Sequence, residues 1–212
     1  MPESLVCTNL TKRYGRGRPV INGFTHTFEP GTATALAGPN GSGKTTLIRL
    51  LTTLAFPSDG EVRYGNLPIH QKPLAYLRSV GYVDDSGDLP PHLSAVELLE
   101  WVARERGTYG AIGRSGIDEA LDALLLDERR NTLLGSYSSG MTKKVQIAAA
   151  LIGQPRILVL DEPFRALDAE TRRAAETLVG NFVDRGGIVI LASHHQDIVE
   201  RLCRSVVDLT PR

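Results

Sequence analysis

The chain is poor in cysteine and carries no excess charge of either sign. Its 212 residues hold two cysteines, Cys7 and Cys203, in a strand-like and a helix-like setting. Isolated in this way they read as buried free thiols rather than as a disulfide or a cysteine metal site. Lys plus Arg number 24 and Asp plus Glu number 24, so no global basic field draws the chain to nucleic acid or to an anionic membrane surface. Long apolar runs are missing as well. The longest, 147–152 and 188–192, fall far short of the roughly 18 residues that span a bilayer. The opening Met1-Pro2-Glu3-Ser4 lacks the charged start and long apolar core of a secretory signal. The expectation is a cytoplasmic chain that does not cross a membrane by itself. With 42% hydrophobic residues, this length builds one sizeable core, or one core with a small inserted lobe. No internal repeat or low-complexity segment interrupts it.

What is present is a phosphate-binding pattern. Gly38-Pro39-Asn40-Gly41-Ser42-Gly43-Lys44-Thr45-Thr46 fits G-x-x-x-x-G-K-[ST]. Ala33, Ala35, Leu36 and Ala37 before it suit a buried strand, and Leu47, Leu50, Leu51 and Leu54 after it recur at helical spacing over 45–54. That strand–loop–helix setting separates a nucleotide site from an ordinary glycine-rich turn. Gly38, Gly41 and Gly43 free the backbone to curl its N–H groups around an anion, and the helix adds the positive end of its dipole. Lys44 is expected to reach the β- and γ-phosphates, and Thr45 to place its hydroxyl on Mg²⁺.

The remaining elements follow from pattern. Strands are expected at 5–10, 23–28, 61–66, 80–83, 156–161 and 188–191, with Val206, Val207 and Leu209 closing the sheet. After the first strand, a polar turn over 11–15 presents Tyr14, which reads equally as an adenine platform or a surface packing residue. His26 reads as an ordinary strand residue. The strand at 80–83 ends in Asp84-Asp85-Ser86-Gly87-Asp88. From 93 to 134 the pattern is mainly helical. Ser94-Ala95-Val96-Glu97 is a capping box opening a helix to about 106, a glycine-rich connection covers 107–116, and a second helix covers 118–126. A Tyr137-Ser138-Ser139-Gly140-Met141 turn then precedes a helix over 142–152, and such a turn at a helix N-terminus offers donors to an anion. The apolar strand at 156–161 delivers Asp161 and then Glu162 to its C-terminal end, where open α/β sheets bind ligands. Asp168 caps the next helix, and Ser193-His194-His195 follows the strand at 188–191.

Taken in order, these stretches resemble the nucleotide-binding subunit of an ATP-binding cassette (ABC) transporter over essentially the whole chain. Tyr14 matches the adenine-stacking aromatic, 38–46 the Walker A loop, 137–141 the family signature, 157–162 Walker B with its glutamate, Ala166-Leu167-Asp168 the segment that crosses to a partner subunit, and His194 the switch histidine. The Tyr-Ser-Ser-Gly-Met-Thr-Lys-Lys stretch and the short length further resemble bacterial single-domain ATPases of export systems. The resemblance implies an α/β P-loop NTPase core with an antiparallel β subdomain and an inserted α-helical subdomain. It divides one cassette over 1–212 into a core (1–88 and 154–212) and a helical subdomain (89–153) that includes the signature.

It also implies a mechanism. Two cassettes, here a homodimer, bind head to tail, so that ATP lies between the phosphate loop of one chain and Ser138 and Gly140 of the other. Asp161 and Thr45 hold the Mg²⁺ shell with Asp85 as a third candidate ligand, Glu162 is the general base, and Lys44 and His194 contact the γ-phosphate. Closure drives separate transmembrane permease subunits from the cytoplasmic face of the membrane, and no nucleic acid takes part. His195 rivals His194, but alignment of the downstream 199–203 favours His194. The sequence departs from the family at Ser139 (usually Gly), at Met141 (usually Gln) and, more seriously, at Asp85, where a Gln normally serves as metal ligand and coupling hinge. Little sequence follows the last strand, so no C-terminal regulatory domain is expected. Two other readings compete: a non-transport cassette acting on DNA or ribosomes, which typically carries coiled-coil inserts or a second cassette, and a weakly hydrolysing regulatory cassette of an asymmetric pair.

Overall fold

Two sheets divide the work of the chain, one antiparallel and one parallel. The computed structural model describes residues 3–86 and 88–210; Gly87 of the acidic stretch and the first two residues, Met1 and Pro2, lie outside them. Strands β1 (Leu5–Lys12) and β2 (Ile21–Phe28) pair antiparallel, and β1 also pairs with β4 (Asp59–Tyr64). The register of β1 shifts between Cys7 and Leu10, where Asn9 takes φ 49° and its N–H donates to Thr25 Oγ1 at 2.9 Å. Asn tolerates this left-handed conformation better than most residues, so the strand bulges there without losing the bond. A short β5 (Leu67–Pro68) completes the order β2-β1-β4-β5.

The second sheet is all parallel. Its strands are β3 (Thr32–Ala37), β6 (Val80–Val83), β7 (Ile157–Asp161), β8 (Ile188–Ala192) and β9 (Ser205–Asp208), in the order β6-β7-β8-β3-β9. β7 and β8 are buried along their whole length, as expected of parallel strands covered on both faces. Alternation then sorts their side chains. Ile157, Val159, Ile188 and Ile190 join a core with the antiparallel sheet and helix α1 (Lys44–Leu51), through Leu5, Phe28, Leu47, Ile48 and Leu51. Leu158, Leu160, Val189 and Leu191 face the opposite core, which includes Leu98, Leu99, Leu121, Val145 and Ala148.

That second core belongs to the helices expected between 93 and 134 and to those that follow. Helix α2 (Pro73–Leu77) precedes β6. Then come α3 (Ala95–Glu105), α4 (Tyr109–Asp122), α5 (Ser139–Ile152), α6 (Ala169–Asp184) after β7, and α7 (Gln196–Leu202) after β8. The capping box of α3 forms as its sequence requires: the Glu97 N–H donates to Ser94 Oγ at 3.3 Å, and the Ser94 N–H donates to Glu97 Oε2 at 2.8 Å. Ser94→Ala should lower stability by about 1 kcal/mol through loss of this cap, read as a shift in the thermal midpoint at unchanged nucleotide affinity.

Three expectations are corrected. The glycine-rich stretch 107–116 is mostly helix, with α4 broken only at Gly113, whose φ of 61° lies outside the helical region. Helix α1 stops at Leu51 and does not reach Leu54. Thr52 Oγ1 donates back to Ile48 O at 2.8 Å and Thr53 turns to φ 58°, which leaves Leu54 exposed. The helix expected over 118–126 ends at Asp122, and Leu125 turns to φ 56°.

Candidate functional site

The parallel sheet aims four loops at one edge. β3 leads into the glycine-rich loop, β6 into Asp84 and Asp85, β7 into Glu162, and β8 into Ser193 and His194. These C-terminal strand ends surround a cleft of about 530 Å³ whose walls include Asn40, Gly41, Gly43, Lys44, Thr45, Thr46, Asp85, Asp161, Glu162 and His194. Val20, Arg49, Tyr82, Asp84 and Ser86 line it too.

The loop is shaped for an anion. Gly38 adopts φ 141°, and a Cβ there would sit 2.5 Å from Ser42 Oγ, so only glycine allows the chain to close on itself at that point. Ser42 Oγ is buried with no hydrogen-bond partner in the protein, an orphaned polar atom inside the cradle. Lys44 Nζ donates to Gly38 O at 2.6 Å and to Pro39 O at 3.2 Å, which folds its charge onto the loop. Those carbonyls carry no net charge, so the ionised oxygens of a phosphate would attract the ammonium more strongly.

The acidic side of the cleft comes from β7. Asp161 is buried, and its carboxyl is pushed up to about 6, first by burial and then by the charges of Asp85 and Glu162, with Lys143 opposing. The next residue, Glu162, holds φ 48°, a left-handed conformation that costs a non-glycine residue about 1–3 kcal/mol. Its N–H donates to Ala192 O at 2.9 Å, and its carboxylate receives the His194 N–H at 3.4 Å. His194 Nε2 lies 3.6 Å from Glu162 Oε1. The strain thus turns the Glu162 side chain into the cleft and beside His194, whereas His195 is the N-cap of α7 and outside the cleft lining.

This donor set fits a divalent cation carried by a polyphosphate. Asp161, Glu162 and Asp85 all line the cleft, and a cation there would offset both the burial of the Asp161 charge and its repulsion by Asp85 and Glu162. Among the described residues no group of three or more His, Cys, Asp or Glu side chains is placed to hold a metal ion. Mg²⁺ characteristically takes one or two protein carboxylates and completes its shell with phosphates and water. Thr45 and Asp161 both line the cleft, and a hydroxyl and one carboxylate are a donor set of that kind. Asp85 also lines it, but both its oxygens accept from Arg165 Nη1, at 2.9 and 3.1 Å.

Three candidate residues lie elsewhere. Tyr14 is half exposed in the turn after β1, outside the cleft lining, with Lys12 Nζ 4.9 Å from its ring centroid. Ser138 is the N-cap of α5, its Oγ accepting from the Met141 N–H at 3.3 Å. A Cβ on Gly140 would lie 2.6 Å from Ala166 O, so glycine is needed for the α5 start to pack on the segment that precedes Asp168. Neither Ser138 nor Gly140 reaches the cleft of its own chain.

The sequence reading missed the basic residues around the acidic loop. Lys143 is buried on α5 and donates to Asp84 O at 2.5 Å, while Gln146 Nε2 donates to Asp84 Oδ1 at 3.2 Å. Their signal was two polar residues, three apart, on the otherwise apolar face of a helix. Burial lowers the Lys143 pKa, and Asp85, Asp84 and Asp161 counter that shift.

Against this geometry, the ABC transporter family model matches residues 21–165. The Nod factor export ATP-binding protein I of Burkholderia orbicola is 31% identical over 195 residues, covering 92% of this chain and 64% of that protein. An Fe(3+) ions import ATP-binding protein of Brucella abortus is 34% identical over 197 residues, covering 92% of this chain and 55% of its own length. The chain thus spans just over half to about two thirds of these curated relatives. Among solved structures, an ATP-binding subunit of an ABC transporter superposes with a TM-score of 0.91 at 27% identity, over 96% of this chain and 85% of that one. A dimeric ATP-binding cassette in a post-hydrolysis state bound to ADP and phosphate superposes with a TM-score of 0.81 at 25% identity, over 96% and 93%.

Proposed function

This chain belongs to the ABC transporter family, and we propose that it is the ATP-hydrolysing subunit of a transporter, with ATP and Mg²⁺ in the cleft described above. The observation that carries the reading is the convergence of Lys44, Thr45, Asp161, Glu162 and His194 on one cleft from the ends of separate strands. Residues 1–88 and 154–212 act as the nucleotide-binding core, and 89–153 as a lobe that presents the signature.

Lys44 exchanges its loop carbonyls for phosphate oxygens. Thr45 and Asp161 would hold Mg²⁺, which when bound would supply neutralising charge on the phosphates. Glu162, fixed by its backbone, accepts the proton of the attacking water. His194 stands beside it as a hydrogen-bonding group for the terminal phosphate. Ser138 and Gly140 lie outside the lining of their own cleft, which favours a head-to-tail homodimer in which each signature completes the partner's site. A solved cassette of the same fold is a dimer bound to ADP and phosphate, which supports assembly in pairs. The direction of transport is export, in keeping with the Nod factor export relatives that match most of this chain. Tyr14, half exposed in the turn after β1, is the ring on which adenine would stack.

Among the described residues no helix is long and apolar enough to cross a membrane; on this reading the substrate is carried by separate membrane subunits. Their docking site is the groove between the core and the lobe, where Leu54 and Trp101 are exposed and Leu77, Leu89 and Pro90 add apolar wall. The chain works at the cytoplasmic face, without nucleic acid. Trp101→Asp should reduce the fraction of chain that sediments with its native membranes while leaving basal hydrolysis unchanged, because Trp101 lies outside the nucleotide cleft.

The test of the whole reading is phosphate release from the purified chain with Mg²⁺ and ATP, followed by light scattering at saturating ATP. Turnover with an ATP-dependent rise in mass is expected. A monomer that neither binds nor hydrolyses ATP would remove the assignment.

A further inference from the structure

Asp85 and Arg165 are 80 residues apart in sequence, yet Arg165 Nη1 reaches both Asp85 oxygens, at 2.9 and 3.1 Å. Asp85 follows β6 and lines the nucleotide cleft; Arg165 lies three residues after Glu162, in the loop between β7 and α6. The pair therefore ties together two loops that flank the carboxylates of the site. Both side chains are exposed, 67% for Arg165 and 45% for Asp85, so the bridge adds little to global stability. Its effect is local. Lys143 approaches the same acidic loop from α5 and donates to Asp84 O, and Arg165 is the cation placed directly on Asp85.

We propose that Arg165 is a positioning residue that acts through Asp85. By occupying both oxygens it withholds that carboxylate from the metal, leaving Thr45 and Asp161 as the protein's contribution, and it screens the charge of Asp85 from incoming nucleotide. Both consequences follow from one contact. Without Arg165, the Asp85 oxygens become available to Mg²⁺, which favours metal-loaded nucleotide. The same unscreened carboxylate repels metal-free nucleotide. The two changes act in the same direction on one quantity, the ratio of nucleotide affinity with Mg²⁺ to affinity without it. This rests on the reading of the cleft as a Mg²⁺·ATP site.

The ratio is measured by calorimetry on the full chain with a non-hydrolysable ATP analogue, in excess Mg²⁺ and in excess EDTA, so that turnover plays no part. Arg165→Gln should raise it about three- to fivefold, the scale of an exposed ion pair. Arg165→Lys should give an intermediate value, because lysine keeps the charge but presents it on a more strongly hydrated ammonium of different reach. In an Asp85→Asn background, Arg165→Gln should leave the ratio unchanged within about twofold, since the coupled partner is gone. A merely structural tie between loops would shift the melting temperature of Arg165→Gln without moving the ratio. A ratio equal to that of the parent chain, or an equal shift in the Asp85→Asn background, overturns the proposal alone. If the parent binds the analogue equally with and without Mg²⁺, the metal reading of the cleft falls and this proposal falls with it.

Discussion

Lys44→Ala should weaken nucleotide binding by about 10- to 100-fold, the effect expected when a hydrogen bond to a charged group is removed at about 1.5–3 kcal/mol. The loop would survive the change. Its backbone is set by the glycine conformations and by local bonds, such as Ser42 N–H to Pro39 O at 3.1 Å and Leu47 N–H to Gly43 O at 2.8 Å, none of which uses the Lys44 side chain. What disappears is an ammonium that already points at the loop carbonyls Gly38 O and Pro39 O. Calorimetry with ATP and Mg²⁺, beside a melting curve showing an unchanged midpoint, separates the loss of binding from a loss of fold. An unchanged affinity would mean that the phosphates lie somewhere else on the molecule.

That loop was legible because its information is local: glycine spacing, a lysine and a hydroxyl within one turn, and an apolar strand and helix on either side. β7 and β8 were legible for a related reason, since fully buried parallel strands read as unbroken apolar runs. The capping box of α3 lies within four residues and was equally visible. The features that escaped depend on tertiary context. Helix α2 is too short to show a period, yet it buries Tyr76 completely and lets its hydroxyl donate to Leu51 O at 2.8 Å, near the end of α1. The extent of α4 was obscured by glycines that it tolerates in its interior, with only Gly113 leaving the helical region. Lys143 and Asp84 lie 59 residues apart and Arg165 and Asp85 lie 80 apart, and no pattern in a window of the sequence pairs such residues. The fold brings both cations to the acidic loop, Lys143 onto Asp84 O and Arg165 onto the Asp85 carboxylate.

Glu162→Gln should lower the rate of hydrolysis by about 10²–10⁴, the usual contribution of a positioned general base, while leaving nucleotide affinity close to that of the parent. The amide occupies nearly the same volume and still accepts through its carbonyl oxygen, so the His194 N–H that now reaches Glu162 Oε2 at 3.4 Å keeps an acceptor. The backbone at φ 48° and its bond to Ala192 O involve no carboxylate atom, and the side chain therefore stays aimed into the cleft. What the amide cannot do is take a proton from water. Because chemistry fails after binding succeeds, the variant should accumulate in whatever assembly ATP promotes. If Ser138 and Gly140 complete a partner's site, that assembly is a nucleotide-bound dimer, resolved by light scattering at saturating ATP and Mg²⁺. Single-turnover phosphate release separates the chemical step from product release. Normal release by Glu162→Gln would assign the base to another residue of the cleft. Slow release from a species that stays monomeric would keep Glu162 as the base and remove the head-to-tail dimer.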